Sequence, residues 1–172
     1  MNELLKNLPD EAREKLRETG QPDWMNPMLA TLTDRRFSDE KWIFERKLDG
    51  ERCLAFRKGD QMRLMSRNQK KLNVQYPELV EALEGQDLAH FIADGEVVAF
   101  EGDVTSFARL QDRMHVEDEE KARQSGVAVY YYIFDLLYLD GYDTTRVGLR
   151  HRKSLLKRAL SFDDPLRFVV HR

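Results

Sequence analysis

The chain has 172 residues, 41% of them hydrophobic, which suits a single compact globular domain with a sizeable core. A formal net charge of −3 argues against a generic DNA-binding protein, and the single cysteine, Cys53, excludes an internal disulfide and a cysteine-rich metal site. No apolar stretch is long enough to span a membrane and no signal peptide is evident, so we expect a cytoplasmic protein without a membrane partner.

The chain is predicted to begin with a separate helical segment, residues 1–23. One or two short amphipathic helices are expected over residues 3–18, with Pro9-Asp10-Glu11 as a helix start. Strands are then expected near 41–47, 52–58 and 61–66. Asp49-Gly50, between the first two, is a hairpin or bulge signal.

Lys47 stands out because Asp49-Gly50 and Arg52 follow it at a spacing that suits a covalent nucleophile. Free lysine has a pKa of about 10.4, so a nucleophilic lysine needs desolvation or neighbouring cations that favour the neutral amine. Arg46, Arg52 and a bound divalent metal could supply that charge. The alternative is a surface β-hairpin with charged residues on its open face.

The remaining elements indicate an α+β fold with mostly antiparallel sheets and flanking helices. Asp94-Gly95-Glu96 is expected to form an acidic turn between two strands, and 128–138 a central strand buried on both faces. Asp135 lies inside that strand, so it needs a paired or hydrogen-bonded partner. Helices are predicted at 76–84, 105–114, 117–124 and 148–160, and strands at 90–93 and 96–100.

Several short motifs resemble those of the adenylation (nucleotidyltransferase) domain of ATP-dependent DNA ligases, in the family's order. The resemblance covers about residues 24–172 and is greatest to the ligase modules of bacterial and archaeal end-joining systems. The motifs are Lys47-Leu48-Asp49-Gly50-Glu51-Arg52, Ser66-Arg67-Asn68 with Tyr76-Pro77-Glu78-Leu79, Asp94-Gly95-Glu96, and Tyr132-Ile133-Phe134-Asp135-Leu136-Leu137-Tyr138-Leu139-Asp140-Gly141.

The resemblance implies an activity, in which Lys47 attacks the α-phosphate of ATP, with Mg²⁺ or Mn²⁺, and holds AMP as a phosphoramidate. AMP would then pass to the 5′-phosphate of nicked or broken duplex DNA. The implied nucleotide-binding residues are Glu45 at the adenine amino group, Leu48, Arg52 and Arg67 at ribose or phosphate, Glu96 at a metal or the ribose, and Phe134 stacked on adenine.

Two basic segments, 46–71 and 146–158, could contact DNA phosphates, or they could be ordinary solvated faces. The resemblance further implies end-joining proteins as partners. We expect a monomer that acts on nucleoid-associated DNA.

The family pattern continues with a later E-G-x-V-like motif, a K-x-K-like motif and an OB-fold domain, and none of them is found after Gly141. We therefore expect a chain that holds only the N-terminal part of the adenylation domain, with doubtful activity of its own.

Two other functions stay open. One is an RNA ligase or capping-type nucleotidyltransferase, against which Glu45 and the string from Phe134 to Gly141 favour a DNA ligase. The other is a catalytically silent nucleic-acid-binding module on a ligase-like scaffold, in which the basic segments would matter and Lys47 would not.

Overall fold

The computed structural model describes residues 1–172 as six helices and eight strands. No helix is long and apolar enough to cross a membrane. In chain order the elements are α1 (Glu3–Lys6), α2 (Asp10–Arg13), β1 (Arg17–Glu18), β2 (Glu51–Lys58), β3 (Gln61–Ser66), α3 (Pro77–Glu84), β4 (His90–Glu101), β5 (Val104–Thr105), α4 (Phe107–Met114), α5 (Glu119–Gln124), β6 (Val129–Leu139), β7 (Tyr142–Asp143), α6 (Leu149–Ala159) and β8 (Leu166–Phe168).

The strands form one eight-stranded sheet in the order β1-β7-β6-β4-β2-β3, with β5 added to β4 and β8 added to β6. Every pairing is antiparallel except that of β6 with β8. The predicted α+β class with mostly antiparallel pairing is therefore confirmed, as are the strands at 52–58, 61–66 and 128–138.

The sheet is buried on both faces, which explains why β6 is a nearly continuous apolar run. A cluster of 27 buried residues fills one side, where α3 and α6 pack. A second cluster of six residues lies on the other side, and Trp24 and Met25 pack against it. Cys53 is fully buried in the larger cluster, as its apolar surroundings predict.

The N-terminal segment is part of the same core. Leu5, Leu8 and Ala12 belong to the large buried cluster, and α1 packs against α6. β1 pairs with β7, so the segment also adds a strand to the edge of the sheet.

Two predicted elements are wrong. Residues 41–47 form no strand; Glu45 makes only an isolated bridge with His171, and Trp42 stays 58% exposed because no neighbouring strand covers it. Asp94-Gly95-Glu96 is not a turn, because β4 runs unbroken through it between β2 and β6. Gly95 allows the Tyr131 ring to approach, since a Cβ there would lie 2.5 Å from Tyr131 Cε2.

Gly50 is needed for close backbone approach, since a Cβ at this position would lie 2.1 Å from the carbonyl oxygen of Val97. We expect Gly50→Ala to push β2 away from β4 and lower the free energy of unfolding by roughly 1–3 kcal/mol. Urea denaturation measures this change. Gly20→Ala is the matched control, because nothing lies within 4 Å of the added methyl group; equal effects of the two substitutions would contradict the prediction.

Candidate active site

One cavity of about 1030 Å³ brings together most of the predicted site. Its wall comes from the segment 28–48, from β2 and β4, from the middle of β6, and from Leu149 and Val169. Six of the seven predicted site residues line it: Glu45, Lys47, Leu48, Arg52, Glu96 and Phe134. Arg67 is not among the lining residues. It is exposed on the turn that follows β3, and its role at ribose or phosphate stays a prediction.

Lys47 is exposed to the cavity on a loop just before β2. Asp49 anchors this loop to β5 and α4: its backbone N–H donates to Thr105 Oγ1 (3.3 Å), and its carboxylate accepts from the backbone N–H of Phe107 (3.1 Å). The loop is thereby fixed two residues after Lys47 by a bond between Asp49 and a residue 58 positions further along the chain.

Arg52 is fixed by Asp94 on the neighbouring strand. The guanidinium Nε and Nη2 each donate to one Asp94 carboxylate oxygen at 2.6 Å, a bidentate pair. A further bond from Nη2 reaches the carbonyl oxygen of Met28 (3.1 Å), and the guanidinium carbon lies 4.6 Å from the centre of the Phe134 ring. The guanidinium therefore lies over the Phe134 ring, so that a cation and an aromatic side chain are in contact at the cavity wall.

Glu96 sits opposite Arg52 in the register of β2 with β4. Burial raises the pKa of Glu96 to about 7, with Arg52 opposing that shift and Asp94 adding to it. The protein has no cluster of three or more aspartate, glutamate, histidine or cysteine side chains that could hold a metal ion. Glu96 offers one carboxylate at the cavity wall, and Mg²⁺ takes one or two carboxylates together with substrate phosphates, so Glu96 could be one ligand of such an ion.

The burial of two cations near the cavity was not predicted from the sequence. Lys153 and Arg152, both on α6, lie in the predicted phosphate-contacting segment but are buried, so neither can reach DNA. The Lys153 ammonium donates to the Glu45 carboxylate and to the carbonyl oxygens of Phe134 (3.3 Å) and Val169 (2.9 Å). Their positions three and four residues after Leu149 place both on the apolar face of the helix, a signal that could have found them.

Arg152 supplies the partner that Asp135 requires. Its Nε and Nη2 donate to the two carboxylate oxygens of Asp135 at 2.7 and 2.8 Å, and the residues are 6% and 2% exposed. This pair fixes α6 against β6 next to Phe134, and both Phe134 and Asp135 line the cavity.

The pKa values of Asp94 and Glu96, two carboxyls of β4, predict how stability depends on pH. Burial raises the pKa of Glu96 to about 7 and that of Asp94 to about 6, above the ordinary values of 4.5 and 3.8. Between its ordinary pKa and its raised pKa, each of these carboxyls is still protonated in the folded protein but already ionised in the unfolded chain. Both groups therefore lower the free energy of unfolding as pH rises through that window. We expect the thermal midpoint in EDTA to fall less between pH 5 and pH 8 in Glu96→Gln than in the wild type, as followed by circular dichroism. Parallel curves would contradict this.

Comparison with known proteins agrees with the motifs. A family model described as the ATP dependent DNA ligase domain matches residues 27–172. A DNA ligase of Sulfophobococcus zilligii is 33% identical over 93% of this chain and 28% of its own length. The multifunctional non-homologous end joining protein LigD of Pseudomonas aeruginosa is 34% identical over 88% of this chain and 17% of its own length.

Solved structures give the same result. The ligase domain of M. tuberculosis LigD superposes with a TM-score of 0.58 and 30% identity, over 76% of this chain and 39% of that one. A mycobacterial DNA ligase D complexed with ATP and MES gives a TM-score of 0.57 and 28% identity, over 75% and 39%.

The chain thus spans well under half the length of these relatives. Because the family model matches most of the chain and the fold agrees with solved ligase domains, this chain belongs to the ATP dependent DNA ligase domain family.

Proposed function

We propose that this chain carries the nucleotide-binding and adenylate-accepting part of an ATP-dependent DNA ligase. Lys47 is the nucleophile, and nicked or broken duplex DNA is the final acceptor. The observation that carries the proposal is the single cavity in which Lys47, Arg52, Glu96 and Phe134 meet.

In the proposed first step, the lone pair of Lys47 Nζ attacks the α-phosphorus of ATP. A phosphorus–nitrogen bond forms, the bond to the pyrophosphate oxygen breaks, and the amine proton is lost to solvent. Arg52 is preorganised by Asp94 to face developing negative charge, which is the most effective form of stabilisation in such transfers. Glu96 would hold a divalent cation, which offsets charge on the phosphates.

The cavity also suggests how adenine is chosen. Phe134 offers an aromatic face for stacking, and the Glu45 carboxylate can accept a hydrogen bond from the 6-amino group. A carboxylate cannot donate to the 6-keto group of guanine, so ATP is preferred. This favours a DNA ligase over a GTP-using capping enzyme.

In the later steps, a DNA 5′-phosphate oxygen would displace the lysine from AMP, and a 3′-hydroxyl would then displace AMP. Phosphate contacts are expected from the turn after β3, where Arg67, Lys70 and Lys71 are all exposed. End-joining proteins are candidate partners, because one relative is named an end joining protein.

The direct test is intact-protein mass after incubation with ATP or GTP and Mg²⁺ or Mn²⁺. An adduct of one AMP from ATP supports the proposal, whereas an adduct formed selectively from GTP points to a capping-type enzyme. An incomplete site and the silent nucleic-acid-binding module would both give no adduct with either nucleotide. Salt-sensitive DNA binding that Lys47→Ala leaves unchanged would then support the silent module.

The proposed phosphate contacts of the turn after β3 predict how DNA binding depends on salt. We expect a triple alanine variant at Arg67, Lys70 and Lys71 to flatten the plot of log binding constant against log salt concentration by about 0.9 for each DNA phosphate that the variant no longer neutralises. Fluorescence anisotropy with a nicked duplex measures the slope. A triple variant at Lys6, Lys15 and Lys121, which are exposed and lie outside both basic segments, is the control of equal charge. The same flattening in both variants would remove the turn from the DNA interface.

A further inference from the structure

We infer that Lys153 is a positioning residue that sets which purine base the cavity accepts, because it holds the Glu45 carboxylate in place. The inference rests on the proposed function, in which Glu45 faces the base. Lys153 itself is fully buried and does not line the cavity, so it would touch no ligand.

The surroundings of Lys153 leave its ammonium no freedom. An ammonium has three donors, and the three acceptors around this one are the Glu45 carboxylate and the carbonyl oxygens of Phe134 and Val169. The Phe168 ring lies 4.7 Å from Nζ and closes the remaining side. A buried ammonium whose donors are all used holds its hydrogen-bond acceptors in fixed positions.

Those neighbours are three separate pieces of the cavity wall. Glu45 belongs to the loop before β2, Phe134 to β6, and Val169 to the segment after β8, and all three line the cavity. One ammonium therefore sets the distance between the base-accepting carboxylate and the backbone that carries the stacking ring. It holds Oε1 of Glu45, which leaves Oε2 to accept from a ligand.

The chemistry of selection follows from that fixed carboxylate. Adenine presents an amino donor at position 6, whereas hypoxanthine presents a keto acceptor that an ionised carboxylate repels. Without Lys153, Glu45 would lose its only side-chain partner. It would then rotate toward solvent or take up a proton, and neither state discriminates between the two groups.

The test compares dissociation constants for ATP and ITP, measured by calorimetry in EDTA so that no transfer occurs. We expect the wild type to prefer ATP, and Lys153→Met to reduce the ratio of the two constants roughly tenfold. Lys157→Met, an exposed lysine on the same helix, should leave the ratio unchanged. In a Glu45→Ala background, Lys153→Met should produce no further change in the ratio.

A purely structural role would weaken both nucleotides equally, and that result would overturn the inference. A change of ratio that persists in the Glu45→Ala background would also overturn it. If Lys153→Met does not fold, Lys153→Gln and the double variant Glu45→Ala/Lys153→Met carry the same comparison, because neither leaves the Glu45 carboxylate without a donor at position 153. If the wild type binds ATP and the variants keep the same ratio of ATP and ITP dissociation constants, only this inference is refuted. If the wild type binds neither nucleotide, the proposed function is refuted as well.

Discussion

Replacing Lys47 by alanine or arginine is expected to abolish formation of the AMP adduct, a reduction of roughly a thousandfold or more in rate. Alanine removes the amine altogether. Arginine keeps the positive charge at the cavity wall but has no nucleophilic nitrogen at neutral pH. Intact-protein mass after incubation with ATP and a divalent metal measures the adduct, and calorimetry in EDTA measures ATP binding.

Comparing the alanine and arginine variants shows whether Lys47 acts as a nucleophile or only as a positive charge. If Lys47 only attracted phosphate, the arginine variant would retain much of the adduct. Lys58→Ala is the control, because Lys58 is an exposed lysine at the far end of β2 and does not line the cavity. The control should form the adduct as the wild type does, and an adduct that survives in Lys47→Ala would place the nucleophile elsewhere.

Removing the guanidinium of Arg152 is expected to have the largest effect on stability. Arg152→Met would leave the Asp135 carboxylate charged, buried and without its partner, which typically lowers the free energy of unfolding by about 3–5 kcal/mol. For a chain of this size the thermal midpoint should then fall by roughly 10 °C. Urea denaturation and thermal unfolding by circular dichroism measure both quantities.

Asp135→Asn/Arg152→Met is the informative comparison, because it removes both charges. We expect it to be more stable than Arg152→Met alone, since no unpaired charge stays buried. Arg123→Ala, which breaks exposed pairs with Glu81 and Glu119, should leave the midpoint almost unchanged. A double variant that is less stable than the single one would mean that packing, rather than the unpaired charge, dominates.

Local sequence signals were sufficient for much of the fold. The strands predicted at 52–58, 61–66 and 128–138 are β2, β3 and β6, and a helical apolar stripe predicted α6. The motif spacing also selected residues that converge on one cavity, although β2, β4 and β6 contribute them from distant parts of the chain. The resemblance to ATP-dependent DNA ligases is confirmed by the family match.

The failures share a physical cause, which is dependence on a distant partner. Residues 41–47 are bulky and β-prone, but a strand needs a neighbouring strand, and only His171 is available to Glu45. Asp94 looks like a turn residue until Arg52, 42 positions away, neutralises it inside a central strand. The pairing of Lys153 with Glu45 spans 108 positions, which no local pattern can reveal.

The N-terminal helices lie before residue 27, where the match to the family model begins, yet they fill part of the shared interior. The unit that folds is therefore larger than the segment that the family model matches. A truncated form that begins at residue 27 would expose the apolar surface beneath Leu5 and Leu8 and leave the edge of the sheet at β7 unpaired. Such a form would be prone to self-association, for reasons unrelated to its chemistry.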